Sequence, residues 1–165
     1  MREITLTQGK VALVDNEFYE AIVAYGSWHA ERQGQRWYAS RTESEPYKHT
    51  LYMHTLVWEL SDNPAVPELD HESRDGCDNR LQNLRVATRS QQLENRQKRI
   101  RPATSKYKGV SWHAYTQKWQ VFVRRLYVGL FTDEIEAAKA YDKKALEIFG
   151  KFACLNFPKV QNENL

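Results

Sequence analysis

Residues 69–84 read LDHESRDGCDNRLQNL, and the interpretation of the whole chain starts there. An acidic residue precedes a histidine, Asp70-His71, and Asn83 follows twelve residues after the histidine in a helix-like run. A carboxylate is a ligand for a divalent cation, an imidazole activates water near neutral pH, and an amide holds an imidazole in place. A single-metal nuclease needs these parts, although an isolated Asp-His dipeptide is more often a surface loop.

The charge of the chain is unevenly distributed. Residues 1–94 contain 10 Lys and Arg against 15 Asp and Glu, whereas residues 95–165 contain 14 against 6. A basic half is the electrostatic footprint of a nucleic-acid-binding region, and a merely solvated basic surface is the alternative. The asymmetry favours two domains in these 165 residues.

The composition argues against several classes of protein. The two cysteines, Cys77 and Cys154, lie far apart and form no Cys-x-x-Cys pair, so we expect neither a zinc ribbon nor a disulfide framework. The first residues lack the apolar region of a signal peptide, and no apolar run approaches the ~20 residues of a membrane span. We therefore expect a cytoplasmic protein with no membrane partner.

The first half of the chain predicts a small sheet with short helices. The predicted elements are strands within 3–14 around a turn at Gly9, a helix over 16–26 with Asp15 as its N-cap and Gly26 at its end, a hairpin over 28–40, and a strand at 51–53 that leads into a helix. Further on we expect a loop over 70–78 and two short helices over 79–84 and 90–98.

The second half predicts a three-stranded antiparallel sheet packed on one helix. The predicted strands are 108–112, 118–124 and 125–131, and the helix is 133–149, closed by Gly150. In the middle strand Trp119, Val121 and Val123 alternate with Lys118, Gln120, Phe122 and Arg124. The apolar face is expected to be core, and the polar, basic face is left to meet a groove.

Residues 51–96 resemble the HNH endonucleases of phages and mobile introns, the β-β-α-metal class. The matching segments are LYMHTLVW at 51–58, DH at 70–71, DNRLQNLR at 78–85 and SQQLENR at 90–96. The segments LTQGKVALVD at 6–15 and WYASR at 37–41 are similar to the region that often precedes this module. The resemblance implies that His71 is the general base, that Asn83 orients it, and that Asp70 and Gln92 bind a divalent metal, Mg²⁺ or Mn²⁺.

Residues 106–158 resemble the Apetala2/ethylene-response-factor DNA-binding domain. The match lies in YKGV at 107–110, KW at 118–119, VGLF at 128–131, EAA at 136–138, AYD at 140–142 and LNFP at 155–158. In that family the outward face of the sheet lies in the major groove of DNA. The resemblance therefore implies contacts from Lys108, Ser111, Gln120, Phe122, Arg124, Arg125 and Tyr127.

Together these resemblances imply an α+β chain with an HNH module over 1–96, a basic linker over 97–105 and an Apetala2-type domain over 106–160. The linker region carries Arg96, Lys98, Arg99 and Arg101, which we expect to follow phosphates. Arg124 and Arg125 either read guanine edges or hold phosphates.

The leading hypothesis is a monomeric, metal-dependent endonuclease that cuts or nicks double-stranded DNA in a bacterial or phage-infected cell. The alternative is a DNA-binding regulator whose nuclease centre is degenerate. An RNA-binding module is a weaker third reading, because few aromatic residues are expected on the sheet face.

Overall fold

The structure is a computed structural model that describes residues 1–44, 47–66, 68–97 and 104–158. It divides into two compact units, Met1–Arg89 (unit 1) and Ser90–Leu165 (unit 2). This division falls before the predicted linker at 97–105, and residues 98–103 of that linker lie outside the described part of the chain.

Unit 1 is built from short antiparallel pairings and two helices. Its elements are β1 (Arg2–Thr5), β2 (Val11–Val14), α1 (Asn16–Ala24), β3 (His29–Gln33), β4 (Arg36–Glu43), β5 (His49–Tyr52), α2 (Met53–Leu60), β6 (Leu69–His71) and β7 (Leu84–Val86). Strand β1 pairs with β2, β4 lies between β3 and β5, and β6 pairs with β7.

The local sequence explains most of unit 1. Alternation in β1 and β2 buries Ile4, Ala12 and Val14 on one side, as expected for a half-buried hairpin. Helix α1 and helix α2 add Ile22 and Met53 to the same core. The predicted strands on either side of the turn at Gly9, the helix after Asp15 and the hairpin over 28–40 are confirmed.

The predicted helix over 79–84 is wrong. Only Leu81–Asn83 forms a single 3₁₀ turn, and the chain then enters β7. The backbone is held by partners distant in sequence: Asn79 N–H donates to the Leu13 carbonyl at 2.9 Å, and Glu72 N–H donates to the Asn83 carbonyl at 2.8 Å. These hydrogen bonds to residues distant in sequence override the local helical preference.

Unit 2 consists of a three-stranded antiparallel sheet and one long helix. After α3 (Arg89–Glu94), which begins at the boundary between the units, come β8 (Val110–His113), β9 (Lys118–Val123), β10 (Leu126–Phe131) and α4 (Glu134–Phe149). The strand order is β10-β9-β8. The Asp133 carboxylate caps α4 by accepting a hydrogen bond from Glu136 N–H at 2.8 Å.

The core of unit 2 lies between the sheet and α4. It contains Val110, Val121, Val123, Ala137, Ala138, Tyr141 and Ala145. The small side chains of α4 let the helix lie close to the sheet. The resulting inner face of β9 is the one predicted from the alternation of Trp119, Val121 and Val123.

A hydrogen-bonded latch holds the C-terminal segment onto this core. The buried carboxylate of Asp142 in α4 accepts hydrogen bonds from Asn156 N–H at 2.7 Å and from Phe157 N–H at 2.8 Å. The Asn156 side chain in turn pairs with the backbone of Lys108, accepting from its N–H at 2.6 Å. The segments AYD and LNFP, which lie far apart in sequence, therefore have a shared structural role.

The α+β class is confirmed by the mixture of helices and small antiparallel sheets. The succession β6, β7, α3 does not by itself establish a β-β-α-metal module, because α3 belongs mostly to unit 2. Within the described residues, no helix has both the length and the apolar character needed to cross a bilayer.

Candidate functional site

The Asp70 carboxylate lies against a buried cation of its own unit. Asp70 and Arg85 face each other directly in the β6–β7 pair. Oδ2 of Asp70 accepts hydrogen bonds from Nη2 of Arg85 at 2.9 Å and from Nε at 3.2 Å, and the side chains are 4% and 7% exposed. This buried, charge-assisted ion pair is the main electrostatic feature of the Asp70-His71 segment.

The ring of His71 forms a hydrogen bond with Asn79, another residue of unit 1. Its Nε2 lies 3.2 Å from Oδ1 of Asn79. Because an amide oxygen only accepts hydrogen bonds, the contact places a proton on Nε2, which acts as a donor here. Burial lowers the pKa of His71 despite the nearby carboxylates, so the imidazole is neutral near pH 7.

A second imidazole packs against the first. The ring centroids of His54 and His71 are 4.9 Å apart, and Tyr38 and Tyr52 complete what we call the imidazole–tyrosine cluster. Burial, with a smaller contribution from His71, lowers the pKa of His54 to about 3. The buried Nδ1 of His54 has no hydrogen-bond partner among the described residues. The cluster is therefore packed as neutral rings.

Asn83 occupies a different position from the one expected of it. Its Oδ1 accepts from Ser73 N–H at 2.8 Å, and its Nδ2 donates to the Asp78 carbonyl at 2.6 Å. The amide thus braces the loop after β6, whereas Asn79 is the amide that contacts the His71 ring. The sequence shows Asn79 only as the residue after Asp78 in the stretch 69–84. Its hydrogen bond with the His71 ring depends on the conformation of the loop, which no local pattern predicts.

The residues present do not fit a divalent metal ion well. A cation at Asp70 would have to displace or approach the guanidinium of Arg85, which already neutralises that carboxylate. Among the described residues, no group of three or more His, Cys, Asp or Glu side chains is arranged to hold a metal. The other predicted ligand, Gln92, lies on α3.

The second predicted site is the outer face of the unit 2 sheet, the face opposite α4. Cross-strand pairing puts Ser111 beside Gln120, and Phe122 beside Tyr127. Nε2 of Gln120 donates to Oγ of Ser111 at 3.1 Å. Phe122 is 38% exposed and Tyr127 is 52% exposed. The structure thus brings these four predicted DNA-contacting residues together on one solvent-facing surface.

A β-bulge adds a residue that the sequence analysis missed. The β9–β10 register shifts between Tyr127 and Gly129, so that Leu130 pairs with Gln120 and Phe131 pairs with Trp119. Leu130 consequently joins the outer face, where it is 38% exposed, and Phe131 packs on the core. Simple alternation from Tyr127 would have given the opposite assignment.

Arg124 departs from its expected position. It lies in the β9–β10 turn with a positive φ of 55°, which turns its side chain away from the alternation of β9. Its Nε donates to Glu94 at 2.6 Å, its Nη2 donates to Ser90 at 2.8 Å, and the guanidinium lies over the Phe149 ring. Arg124 therefore binds other residues of unit 2 although its side chain is 51% exposed, and its neighbour Arg125 is also exposed.

The remaining basic residues predicted to contact DNA differ in their surroundings. Nζ of Lys108 donates to the carbonyls of Glu94 and Arg96, each at 2.8 Å, so Lys108 is half-buried and engaged by the chain itself. Arg96 is exposed. The other three predicted phosphate contacts, Lys98, Arg99 and Arg101, lie outside the described residues.

Comparison with known proteins identifies relatives for part of the chain. No protein-family model matches it. The ethylene-responsive transcription factor WRI1 of Arabidopsis thaliana is 39% identical over 59 residues, which is 32% of this chain and 14% of the relative. APETALA2-like protein 2 of Oryza sativa, in the indica and japonica subspecies, is 38% identical over 60 residues, or 33% of this chain and 14% of the relative. The chain thus spans about a seventh of the length of these relatives.

These relatives support an APETALA2-type domain at the C-terminal end of the chain. They also overturn the predicted enzyme. The prediction of an HNH-type DNA endonuclease is wrong on this finding, because the relatives are APETALA2/ethylene-response-factor transcription factors, which are DNA-binding regulators and not endonucleases. The ion pair between Asp70 and Arg85 gives a physical reason why an Asp-His motif does not by itself make a nuclease.

Proposed function

We propose that the chain is a DNA-binding regulator that docks the outer face of its unit 2 sheet into the major groove of double-stranded DNA. The observation that carries this proposal is the asymmetry of the sheet. Its inner face is covered by α4, whereas its outer face exposes Phe122, Tyr127 and Leu130 around the amide of Gln120. A short antiparallel ribbon has the width that the major groove admits.

Charge supports duplex DNA as the partner. Residues 90–165 contain 14 Lys and Arg against 7 Asp and Glu. Two exposed cations flank the outer face: Lys118 begins β9, and Arg125 lies in the turn after it. Cations at the margins are suited to phosphates, while the uncharged centre is suited to base edges.

In this proposal the Asp70-His71 segment has a structural role in unit 1. The Arg85 ion pair and the imidazole–tyrosine cluster fix β6 and β7 against β4 and α2 through buried, neutralised groups. This corresponds to the degenerate nuclease centre considered from the sequence.

The test is fluorescence anisotropy of a labelled duplex titrated with the full chain at increasing NaCl concentrations. Log K should fall linearly with log salt, with a slope of about −0.9 for each neutralised phosphate. Arg125→Ala should reduce that slope by about one. Lys143→Ala, which removes the same charge from an exposed position on α4, is the matched control and should leave the slope unchanged. Absence of duplex binding even at low salt would refute the proposal.

A further inference from the structure

The outer face of the unit 2 sheet carries an apolar patch at its centre. Phe122, Tyr127 and Leu130, which we call the outer patch, lie on the neighbouring strands β9 and β10. The ring centroids of Phe122 and Tyr127 are 5.4 Å apart, and all three side chains are more than a third exposed. Apolar groups in water at the centre of a binding face mark contact with an apolar feature of the partner.

A polar group of fixed orientation lies beside the outer patch. Gln120 pairs with Leu130 across the strands on one side and with Ser111 on the other. The bond from its Nε2 to Ser111 Oγ holds the amide in place. The amide still has a second N–H hydrogen and an oxygen, and donor plus acceptor is the combination that pairs with the N7 and N6 groups of adenine.

We propose that the outer patch and Gln120 make this chain selective for A·T pairs in the major groove. The thymine C5-methyl group would pack on Phe122, Tyr127 and Leu130, and the adenine edge would pair with Gln120. In the major groove thymine alone among the four standard bases offers a methyl group, and apolar side chains recognise it. This inference rests on the proposed function and specifies which duplex the sheet prefers.

The same residues disfavour G·C pairs. The edge of guanine presents two acceptors, N7 and O6, which are best met by an arginine or lysine fork. Arg124, one of the two arginines for which the sequence leaves open a contact with guanine edges, is bound by Glu94 and Ser90. Docking the outer patch on G·C pairs would leave at least one of these two acceptors without a donor, because the Gln120 amide has one remaining N–H hydrogen, and would remove it from water, which costs affinity.

The charge distribution indicates a nucleic acid as the occupant of the patch. The described residues of β8, β9 and β10 place Lys118 at the start of the central strand, and Arg125 follows its other end. A basic residue at each margin suits two phosphate strands on either side of base edges. An apolar protein partner would not require this arrangement.

The first experiment uses the full chain and labelled duplexes of equal length without A-tracts, compared by anisotropy at one salt concentration. An A·T-rich duplex should bind at least about fivefold more tightly than a G·C-rich one, the lower end of discrimination by one good base contact. Replacing thymine by uracil, which removes only the methyl group, should weaken binding by roughly fourfold for each methyl in contact. Replacing cytosine by 5-methylcytosine should recover part of the affinity of the G·C-rich duplex.

Variants then locate the effect. Leu130→Ala should abolish most of the difference between thymine and uracil duplexes. Leu126→Ala is the matched control: it lies on the same strand and is 47% exposed, but pairs with the inner-face residue Val123. It should keep the full difference.

The outcomes separate this inference from the proposed function. Equal binding of thymine and uracil duplexes by the unmodified chain would overturn the A·T selectivity while leaving duplex binding intact. Tighter binding of single strands than of duplexes would overturn it as well, since it would show bases stacking on Phe122 and Tyr127. Failure to bind any duplex would overturn the proposed function itself.

Discussion

Arg85 lies opposite Asp70 in the β6–β7 pair, and its guanidinium approaches the Asp70 carboxylate to 2.9 Å with both side chains buried. The pairing explains why a motif that predicts a metal ligand is compatible with a protein whose relatives are transcription factors. The carboxylate has a cation already, supplied by the neighbouring strand. The negative charge of Asp70 therefore compensates the buried positive charge of Arg85 inside unit 1.

We expect Asp70→Ala to destabilise unit 1 by about 3–5 kcal/mol, because the buried Arg85 cation loses its buried counter-charge. Glu72→Gln is the matched control: it also removes an acid near Arg85, at 3.6 Å, but from an exposed position, and should change stability by less than about 1 kcal/mol. Urea unfolding monitored by tryptophan fluorescence measures both. Equal stability of Asp70→Ala and the unmodified chain would show that the ion pair contributes nothing.

The imidazole–tyrosine cluster predicts a specific pH dependence of stability. The pKa of His54, about 3 in the folded chain, and the lowered pKa of His71 both lie below the ordinary histidine value. As the pH falls below about 6.5, these two histidines therefore bind protons in the unfolded chain but remain neutral in the folded chain. Stability contributed by the neutral rings is present above that pH and is lost toward acid, by up to about 1.4 kcal/mol per pH unit for each histidine.

Urea midpoints measured from pH 8 to pH 4.5 test this dependence. His54→Phe keeps an aromatic ring in the cluster and should make the decline shallower. The carboxylate of Asp78, whose pKa is lowered by Arg80, contributes only at more acidic pH, so it does not obscure the window. A midpoint that stays constant between pH 7 and pH 4.5 would contradict the assignment of neutral, buried imidazoles.

The contact between Arg124 and Glu94 predicts that α3 restrains DNA binding. Glu94→Gln should release the guanidinium, tighten duplex binding and steepen the salt dependence by about one unit of slope. Glu147→Gln removes the same charge from α4, where the carboxylate pairs with Lys144, and is the matched control. If the two variants alter the salt slope equally, only net charge matters, and Arg124 is not held back by Glu94.

Gly109 predicts a steric requirement in unit 2. Its φ is +75°, and a Cβ there would collide with the Tyr141 ring and lie 2.6 Å from the Phe122 carbonyl oxygen. Gly109→Ala should therefore cost about 2–4 kcal/mol, since backbone strain and overpacking add. Gly150 also has a positive φ, but a Cβ there meets nothing within 4 Å, so Gly150→Ala should cost only about 1–2 kcal/mol. Thermal unfolding compares them, and equal losses would exclude the steric account.

Local patterns in the sequence predicted most of unit 2. The alternation in β9 and the helix over 133–149 both depend on residues within a few positions of one another, and each is present in the structure. The same holds for the hairpins of unit 1. Features of this kind follow from strand and helix periodicity alone.

The features that sequence reasoning missed depend on distant or irregular contacts. The run at 79–84 has helical composition but is drawn into pairings with Leu13 and Glu72. Leu130 reaches the outer face only because a bulge shifts the register. Arg124 leaves that face because its backbone enters the left-handed region in a tight turn. The periodicity of helices and strands in the sequence does not predict these three features.

Photocrosslinking can show whether duplex DNA lies on the outer face of the unit 2 sheet. A crosslinking amino acid, p-benzoylphenylalanine, would be incorporated into the full chain either at position 122, on the outer face, or at position 135, where Ile135 is 47% exposed on α4. After irradiation with a labelled duplex, we expect a crosslinked protein–DNA band from position 122 and none above background from position 135. Crosslinking from position 135 alone, or from neither position while the duplex is bound, would contradict it.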